Sequence, residues 1–266
     1  MKQRMSTPFV SRYGPWAVIA GASEGLGAAF AEALAARGMN LLLLARRAEL
    51  LAEVKDRLSA HANVEIRTAA CDLARADLAP AVENLTRDLE VGLAVYNAAY
   101  APIGPVLGQP TADLLRVIDV NVRGPLVFAR TLAPAMVARG RGGIVLMSSL
   151  AGFQGAPRIA TYAASKAFNI VLGEGLWSEL SPAGVDVLVS CAGAIRTPGY
   201  ARSSSKGDAP GTLSASVVAE KTLRALRRGP TVVPGATNQL ARFFLGRVLP
   251  RRAAIAIMAK NTKDLS

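Results

Sequence analysis

From Trp16 onward, short apolar runs of strand length alternate with longer segments in which apolar residues recur every three or four positions. A bounded apolar run reads as a buried strand, and a 3.6-residue period reads as a helix with one face turned inward. The runs predict strands over Trp16 to Ala20, Asn40 to Ala45, Val64 to Ala70, Gly92 to Asn97, Gly143 to Ser148, Val185 to Cys191 and a short Thr231 to Val233. The periodic stretches predict helices over Ala28 to Arg37, Ala48 to Ala60, Ala79 to Leu89, Thr111 to Arg139, Thr161 to Leu180 and Ser214 to Arg228. Parallel strands need helical crossovers, and continuous Val/Leu/Ile content calls for cover on both sheet faces. Right-handed crossovers then leave an α/β, doubly wound, mostly parallel seven-stranded sheet with helices on both faces. No linker, composition break or internal repeat divides residues 1–266, so a single domain is expected.

One segment breaks the rhythm. Residues 197–213 are rich in turn formers and poor in periodic apolar positions, which predicts a loop. It follows the carboxyl end of a strand, the edge where open α/β sheets bind ligands, and is expected to serve as a substrate lid rather than a plain connector. Residues 236–266 form a helical, basic extension in which Leu240 to Met258 sets apolar side chains against arginines. A helix packed on the domain with its arginines in water is favoured there over one lying on a membrane surface.

Charge widens the list of partners before the pattern narrows it. The 31 Lys and Arg against 19 Asp and Glu leave a net charge of +12, which attracts nucleic acid, anionic membranes or anionic ligands. The charge is diffuse. Its densest cluster, Arg242, Arg247, Arg251, Arg252, Lys260 and Lys263, lacks the interleaved aromatic platforms of single-strand binding, so no nucleic-acid partner is expected. The basic start, Met1 to Pro8, is not followed by the apolar core of a secretion signal, and no run reaches the roughly 18 residues of a spanning helix. A cytoplasmic protein is expected, with Cys71 and Cys191 as buried thiols. The single histidine, His61, reads as a surface loop residue, so no metal site is expected.

Candidate chemistry lies in three places. Gly21-Ala-Ser-Glu-Gly-Leu-Gly27 follows the first strand and opens the first helix, where glycines let the backbone approach a pyrophosphate and the helix N-terminus favours an anion. A tight turn without a ligand is the alternative. Tyr162 and Lys166 are four residues apart on one helix face, thirteen residues after Ser149. A neighbouring ammonium favours the ionised form of a phenol whose ordinary pKa is about 10. Arg46 and Arg47 stand where an NAD-binding fold usually carries an acid, and a guanidinium can hold a 2′-phosphate bidentately. Ser23 can add a further phosphate contact. NADP(H) is therefore expected over NAD(H).

Together these residues resemble the short-chain dehydrogenase/reductase family, over about Tyr13 to Val233. The motifs are Gly-x-x-x-Gly-x-Gly at Gly21, Gly25 and Gly27, then Asn97-Ala98-Ala99, Asn121-Val-Arg-Gly, Ser149, Tyr162, Lys166 and Cys191-Ala-Gly-Ala-Ile-Arg-Thr197. The resemblance implies a single-domain Rossmann-type fold and a catalytic set of Asn121, Ser149, Tyr162 and Lys166. Tyr162 would be the acid/base, Ser149 would hydrogen-bond the carbonyl oxygen, Lys166 would lower the tyrosine pKa and hold the nicotinamide ribose, and Asn121 would hold a water. It also implies cofactor contacts from Gly21, Ser23, Glu24, Gly25, Leu26 and Gly27, from Arg46 and Arg47, and from Asp72 and Leu73 near the adenine. Asn97, Ala98, Gly193, Ile195 and Thr197 complete the cofactor set.

Two positions depart from the family pattern. Ala99 replaces a usual glycine and Ala192 a usual proline, so two turns beside the cofactor are expected to be reshaped with the reacting groups intact. Tyr13-Gly-Pro-Trp-Ala17 and Val233-Pro-Gly235 are similar to the branch of hydroxysteroid dehydrogenases and long-chain 3-ketoacyl reductases. The implied reaction interconverts a ketone and a secondary alcohol on a bulky hydrophobic substrate, steroid-like or 3-ketoacyl. A catalytically inactive NADP-binding scaffold remains the alternative. A homodimer or homotetramer through the 111–139 and 161–180 helices is also implied, although Leu172, Leu176 and Leu180 can equally serve the domain's own core.

Overall fold

The structure, a computed structural model, describes residues 8–203, 208–263 and 265. Its strands are β1 (Trp16–Ala20), β2 (Asn40–Ala45), β3 (Ile66–Ala70), β4 (Val91–Tyr96), β5 (Gly142–Ser149), β6 (Val185–Ala192), β7 (Ile195–Arg196), β8 (Leu213–Ser214) and β9 (Thr231–Val232). Seven of them form one parallel sheet in the order β3-β2-β1-β4-β5-β6-β9, while β7 and β8 pair apart from it. Strand β1 is buried along its whole length, and its alternation divides it between two cores. Ala17 and Ile19 join Phe30, Leu41 and Leu43 on one face; Val18 and Ala20 join Leu42, Leu44 and Phe128 on the other.

The helices are α1 (Pro8–Tyr13), α2 (Gly25–Ala35), α3 (Ala48–Ser59), α4 (Leu78–Thr86), α5 (Thr111–Ile118), α6 (Gly124–Arg139), α7 (Ala160–Leu180), α8 (Pro198–Ser203), α9 (Ala215–Ala225), α10 (Ala236–Phe243) and α11 (Arg251–Thr262). Apolar residues of α2, α3 and α9 fill the first core, and those of α4 and α6 the second. Leu172, Leu176 and Leu180 of α7 pack against that second core, half-buried.

The seven strands of the main sheet match the sequence expectation to within two residues at each end, whereas β7 and β8 were not expected, and three further segments differ. The segment 111–139 is not one helix. Residues 119–123 form a π turn, in which an extra residue leaves a backbone carbonyl outside the regular ladder. The buried Tyr96 hydroxyl donates to the carbonyl of Val120 at 2.6 Å. Helix α1, which the apolar pattern did not predict, runs beneath the amino ends of the strands. The expected loop 197–213 contains α8 and β8 within its described part, because Thr197 Oγ1 accepts from the amide of Tyr200 and starts a turn. Residues 204–207 of the expected lid, residues 1–7 of the basic start, and residues 264 and 266 of the extension lie outside the described residues.

Candidate active site

Strand β1 has β2 on one side and β4 on the other, so crossovers leave it in opposite directions and a crevice opens at the carboxyl edge. Residues following β1 through β6 line this cleft of about 690 Å³. Gly21, Ser23, Glu24, Gly25, Leu26, Arg46, Arg47, Asp72, Leu73, Asn97, Ala98, Ser149, Tyr162, Lys166, Gly193, Ile195 and Thr197 all lie on its wall. Gly27 and Asn121 stand behind the wall, and each shapes it.

The three glycines of the first turn are required for different reasons. Gly21 has φ +83°, and a Cβ there would sit 2.6 Å from the amide of Ala98. Gly25 has φ +58° and faces Thr197. A Cβ on Gly27 would meet the carbonyl oxygen of Gly21 at 1.9 Å, so only glycine lets α2 begin this close to the turn. The Asn97 side chain donates to that same carbonyl at 2.9 Å and locks the β1 and β4 loops together. The result is a cradle that side chains would fill, facing the N-terminus of α2, where a pyrophosphate fits.

At the far end of the cradle, Arg47 donates to Glu24 at 2.8 Å, and Arg202 reaches the same carboxylate at 3.0 Å. Burial pushes the Glu24 carboxyl up, but hydrogen bonds from these two arginines outweigh it and hold the group below its ordinary value. Arg46 is exposed, with no hydrogen-bond or ion-pair partner among the described residues. Asp72 accepts from the amide of Ala74 at 3.0 Å and from Arg116 at 2.9 Å. Its pKa is lowered: desolvation opposes the shift, while those bonds and the nearby charge of Arg46 drive it.

Tyr162, Ser149 and Lys166 meet near the middle of the cleft. The Lys166 Nζ lies 5.5 Å from the centroid of the Tyr162 ring and donates to the carbonyl of Met147 at 2.9 Å. Lys166 is buried, and desolvation lowers its pKa to about 8. Tyr162 departs from the sequence expectation. Burial raises its pKa, a hydrogen bond with Ser149 pulls it back only in part, and the hydroxyl stays protonated near neutrality. The ammonium lies over the ring face and spends a hydrogen bond on Met147, so i, i+4 proximity does not by itself produce a phenolate. Ser148 is structural, its hydroxyl donating to the carbonyl of Lys166 at 2.7 Å. Ser149 Oγ accepts from the amide of Ala151 at 3.2 Å, which fixes it where β5 ends.

Asn121 is fully buried in the π turn. Its amide nitrogen donates to the carbonyl of Tyr100 at 2.8 Å and to Ser165 Oγ at 3.0 Å, while its oxygen accepts from the amide of Tyr100 at 2.8 Å. Both side-chain N–H groups are thus committed to the protein. The side chain fastens the loop after β4 to α7.

Neither of the two positions that depart from the family pattern takes a positive φ. Ala99 is exposed, and no glycine is needed there. Ala192 continues β6 by one residue, in register with Ser149. Cys71 and Cys191 are free and buried, burial pushing Cys191 up to about 12, and His61 is exposed. Among the described residues no cluster of His, Cys, Asp and Glu forms a metal site.

The apolar pattern missed other parts of the wall. Ile103, Ile159, Tyr200 and Leu265 also line the cleft, and Ile159 and Tyr162 pack against the same small cluster of Ala151, Ala156 and Ala163. Arg158, the one described non-glycine residue with positive φ, at 66°, donates to the carbonyl of Leu265 at 2.8 Å and so brings the chain end to the cleft. No local signal marks a residue that reaches the site from 107 positions away.

An open parallel sheet with a glycine cradle at its switch point and a Tyr/Lys pair beside it defines a dinucleotide-binding oxidoreductase. The short chain dehydrogenase family profile matches residues 15–207, and the chain belongs to that family, in the branch of hydroxysteroid dehydrogenases and 3-oxoacyl-CoA reductases. It is 31% identical over 216 residues to a 7beta-hydroxysteroid dehydrogenase of Clostridium sardiniense, covering 81% of this chain and 82% of the relative. It is 36% identical over 192 residues to a very-long-chain 3-oxoacyl-CoA reductase of Podospora anserina, covering 69% of this chain but only 56% of that longer protein. A solved 7beta-hydroxysteroid dehydrogenase structure superposes with a TM-score of 0.88 at 26% identity, covering 95% of this chain and 99% of the other. A short-chain dehydrogenase from Sphingobium yanoikuyae in complex with NADPH gives 0.75 at 32% identity, covering 83% and 87%. Enzymes of this family bind a nicotinamide cofactor and act on small carbonyl or alcohol substrates.

Proposed function

We propose that residues 1–266 act as one catalytic unit, an NADP(H)-dependent oxidoreductase interconverting a ketone and a secondary alcohol on a bulky hydrophobic substrate. The observation that carries this reading is the meeting of Tyr162, Ser149 and Lys166 on one cleft wall, with the Lys166 Nζ 5.5 Å from the centroid of the Tyr162 ring. When bound, the nicotinamide supplies or accepts hydride. In the reducing direction Tyr162 gives its proton to the carbonyl oxygen as that oxygen gains charge. Ser149 donates a second hydrogen bond to the same oxygen and polarises it. Lys166 stabilises the phenolate left behind and can also reach a cofactor ribose hydroxyl. Asn121 positions this group by holding the loop after β4 against α7.

Cofactor choice follows from Arg46 and Arg47. A 2′-phosphate would give the unpartnered Arg46 a counter-charge and compete with Glu24 for Arg47, each charge-assisted bond contributing about 1.5 to 3 kcal/mol. The likeness to an NADPH complex supports this preference. Ile103, Ile159 and Leu265 suit an apolar substrate, and the similarity to enzymes of steroids and long acyl chains supports a steroid-like or 3-ketoacyl compound. Exposed Leu126, Val137, Val171 and Trp177 on α6 and α7 support a homo-oligomer. A cytoplasmic location completes the reading; no described helix is long and apolar enough to cross a membrane.

The test is oxidation of NADPH and NADH over a panel of steroid ketones and 3-ketoacyl thioesters. The wild type should turn over at least one with NADPH, and Tyr162→Phe should lower kcat by about a hundredfold or more. Arg46→Ala with Arg47→Ala should raise the KM for NADPH at least about tenfold, with the KM for NADH little changed. Equal inertness of the wild type and Tyr162→Phe across the panel would favour the scaffold alternative. Unchanged relative KM values would remove the NADP assignment.

A further inference from the structure

The C-terminal extension is fastened to the domain by its inner side alone. The Asn238 side chain donates to the carbonyls of Pro234 and Gly211, and Arg251 donates to that of Phe153. Arg242 lies 4.4 Å over the Phe153 ring, Ala254 is buried, and Met258 packs on the cluster of Ala151, Ala156 and Ala163.

The outer side has a different character. Leu240, Phe243, Phe244 and Val248 are 58%, 55%, 46% and 53% exposed. Their spacing of three, four and eight residues from Leu240 puts them along one side of α10 and the turn after it. Arg242, Arg247, Arg251, Arg252, Lys260 and Lys263 are all exposed, Arg242 and Arg251 while holding Phe153, and residues 236–263 contain no Asp or Glu. None of the six cations forms an ion pair among the described residues.

We infer that this face docks on an anionic lipid bilayer, Leu240, Phe243, Phe244 and Val248 entering the interface while Arg247, Arg252, Lys260 and Lys263 meet the headgroups. Apolar side chains ringed by unpaired cations have the composition of an interfacial helix, for which buried area and headgroup charge both contribute. A second copy of the chain fits poorly, because a two-fold contact would set Arg247, Arg252, Lys260 and Lys263 against their own copies. A nucleic acid fits poorly too. The Phe243 and Phe244 rings meet edge-on, 84° apart with centroids at 5.6 Å, and offer no parallel platform for successive bases, while Leu240 and Val248 have nothing to gain from phosphate. Docking here brings the cleft near the lipid, because Met258 and Leu265 belong to the same extension and lie beside Tyr162 and in the cleft wall. The inference stands whether or not the protein reduces ketones.

The test is flotation of the full chain with neutral phosphatidylcholine vesicles and with vesicles containing about 30% phosphatidylglycerol, at low salt and at about 0.5 M salt. Binding should be at least about tenfold stronger to the anionic vesicles and should collapse at high salt. Two double variants, Phe243→Ser/Phe244→Ser and Arg247→Glu/Arg252→Glu, should each weaken it about tenfold while keeping the wild-type Tm. The salt and lipid dependence of the unaltered protein decides the matter even if a variant folds poorly. Equal binding to both vesicle types, no binding to either, or binding unaffected by well-folded variants would overturn the inference. So would an oligomer that the phenylalanine variant dissociates without any vesicle binding, or an oligonucleotide bound in preference to the vesicles.

Discussion

Lys166 carries its amine where almost no water reaches it, and its pKa of about 8 reflects the desolvation of that charge. In the unfolded chain the same amine titrates near 10.4. Between those values the unfolded state binds more protons than the folded state, so this group's contribution to stability rises with pH through the window. Below it, folding must bury an ammonium, a cost of about 3 kcal/mol from the separation of the two values. Lys166→Met removes that cost and leaves the Met147 carbonyl without its donor, a loss of about 1 kcal/mol. In urea titrations of cofactor-free protein, the variant should therefore be more stable than the wild type at pH 7, and its advantage should vanish by about pH 10. A stability difference that stays constant across this range would show that the amine is not titrating as described. That the glycines, Arg46, Tyr162 and Lys166 would gather at one cleft was legible, because the proposed chemistry fixes their types and spacings. The protonation of Tyr162 was not, because sequence spacing gives the distance to Lys166 but not the protein packed around both.

The strands were legible because a buried strand needs little more than a short apolar run. The break inside residues 111–139 was not, because one extra backbone residue leaves the count of apolar positions on the helix face almost unchanged. Asn121 sits within that break and joins three elements through its amide: the π turn, the loop after β4 and α7. Asn121→Ala would leave the Tyr100 backbone and the Ser165 hydroxyl short of partners in a buried setting. The expected loss is about 2 to 4 kcal/mol, with faster hydrogen exchange at the Tyr100 amide. Unchanged stability together with a still-protected Tyr100 amide would mean that the loop is held by other contacts. The substrate side of the cleft was the least legible element. Ile103, Ile159 and Leu265 come from irregular segments whose meeting depends on long-range contacts such as that of Arg158 with the chain end.

At the scale of the molecule, the sheet separates the two kinds of work. The cleft occupies the carboxyl edge, whereas the amino edge is closed by α1, where Arg12 and Tyr13 both donate to Asp186 Oδ2 at 2.6 Å. Asp186 is the second residue of β6, six positions before Ala192, so it lies roughly 20 Å from the cleft end of that strand. Burial, followed by the bond to Asp186, raises the Tyr13 pKa, and the phenol stays a donor at neutral pH. Asp186→Ala strips this buried hydroxyl and the partly screened Arg12 of their common acceptor. It should destabilise the protein by about 2 to 3 kcal/mol. Because the change falls on the edge away from the chemistry, kcat and the KM for NADPH should stay within about twofold of wild type below the unfolding transition. Adding Tyr13→Phe should recover about 1 kcal/mol, since the hydroxyl left unsatisfied is then gone. A fall in kcat without a fall in Tm would show that the two edges of the sheet are coupled rather than separate.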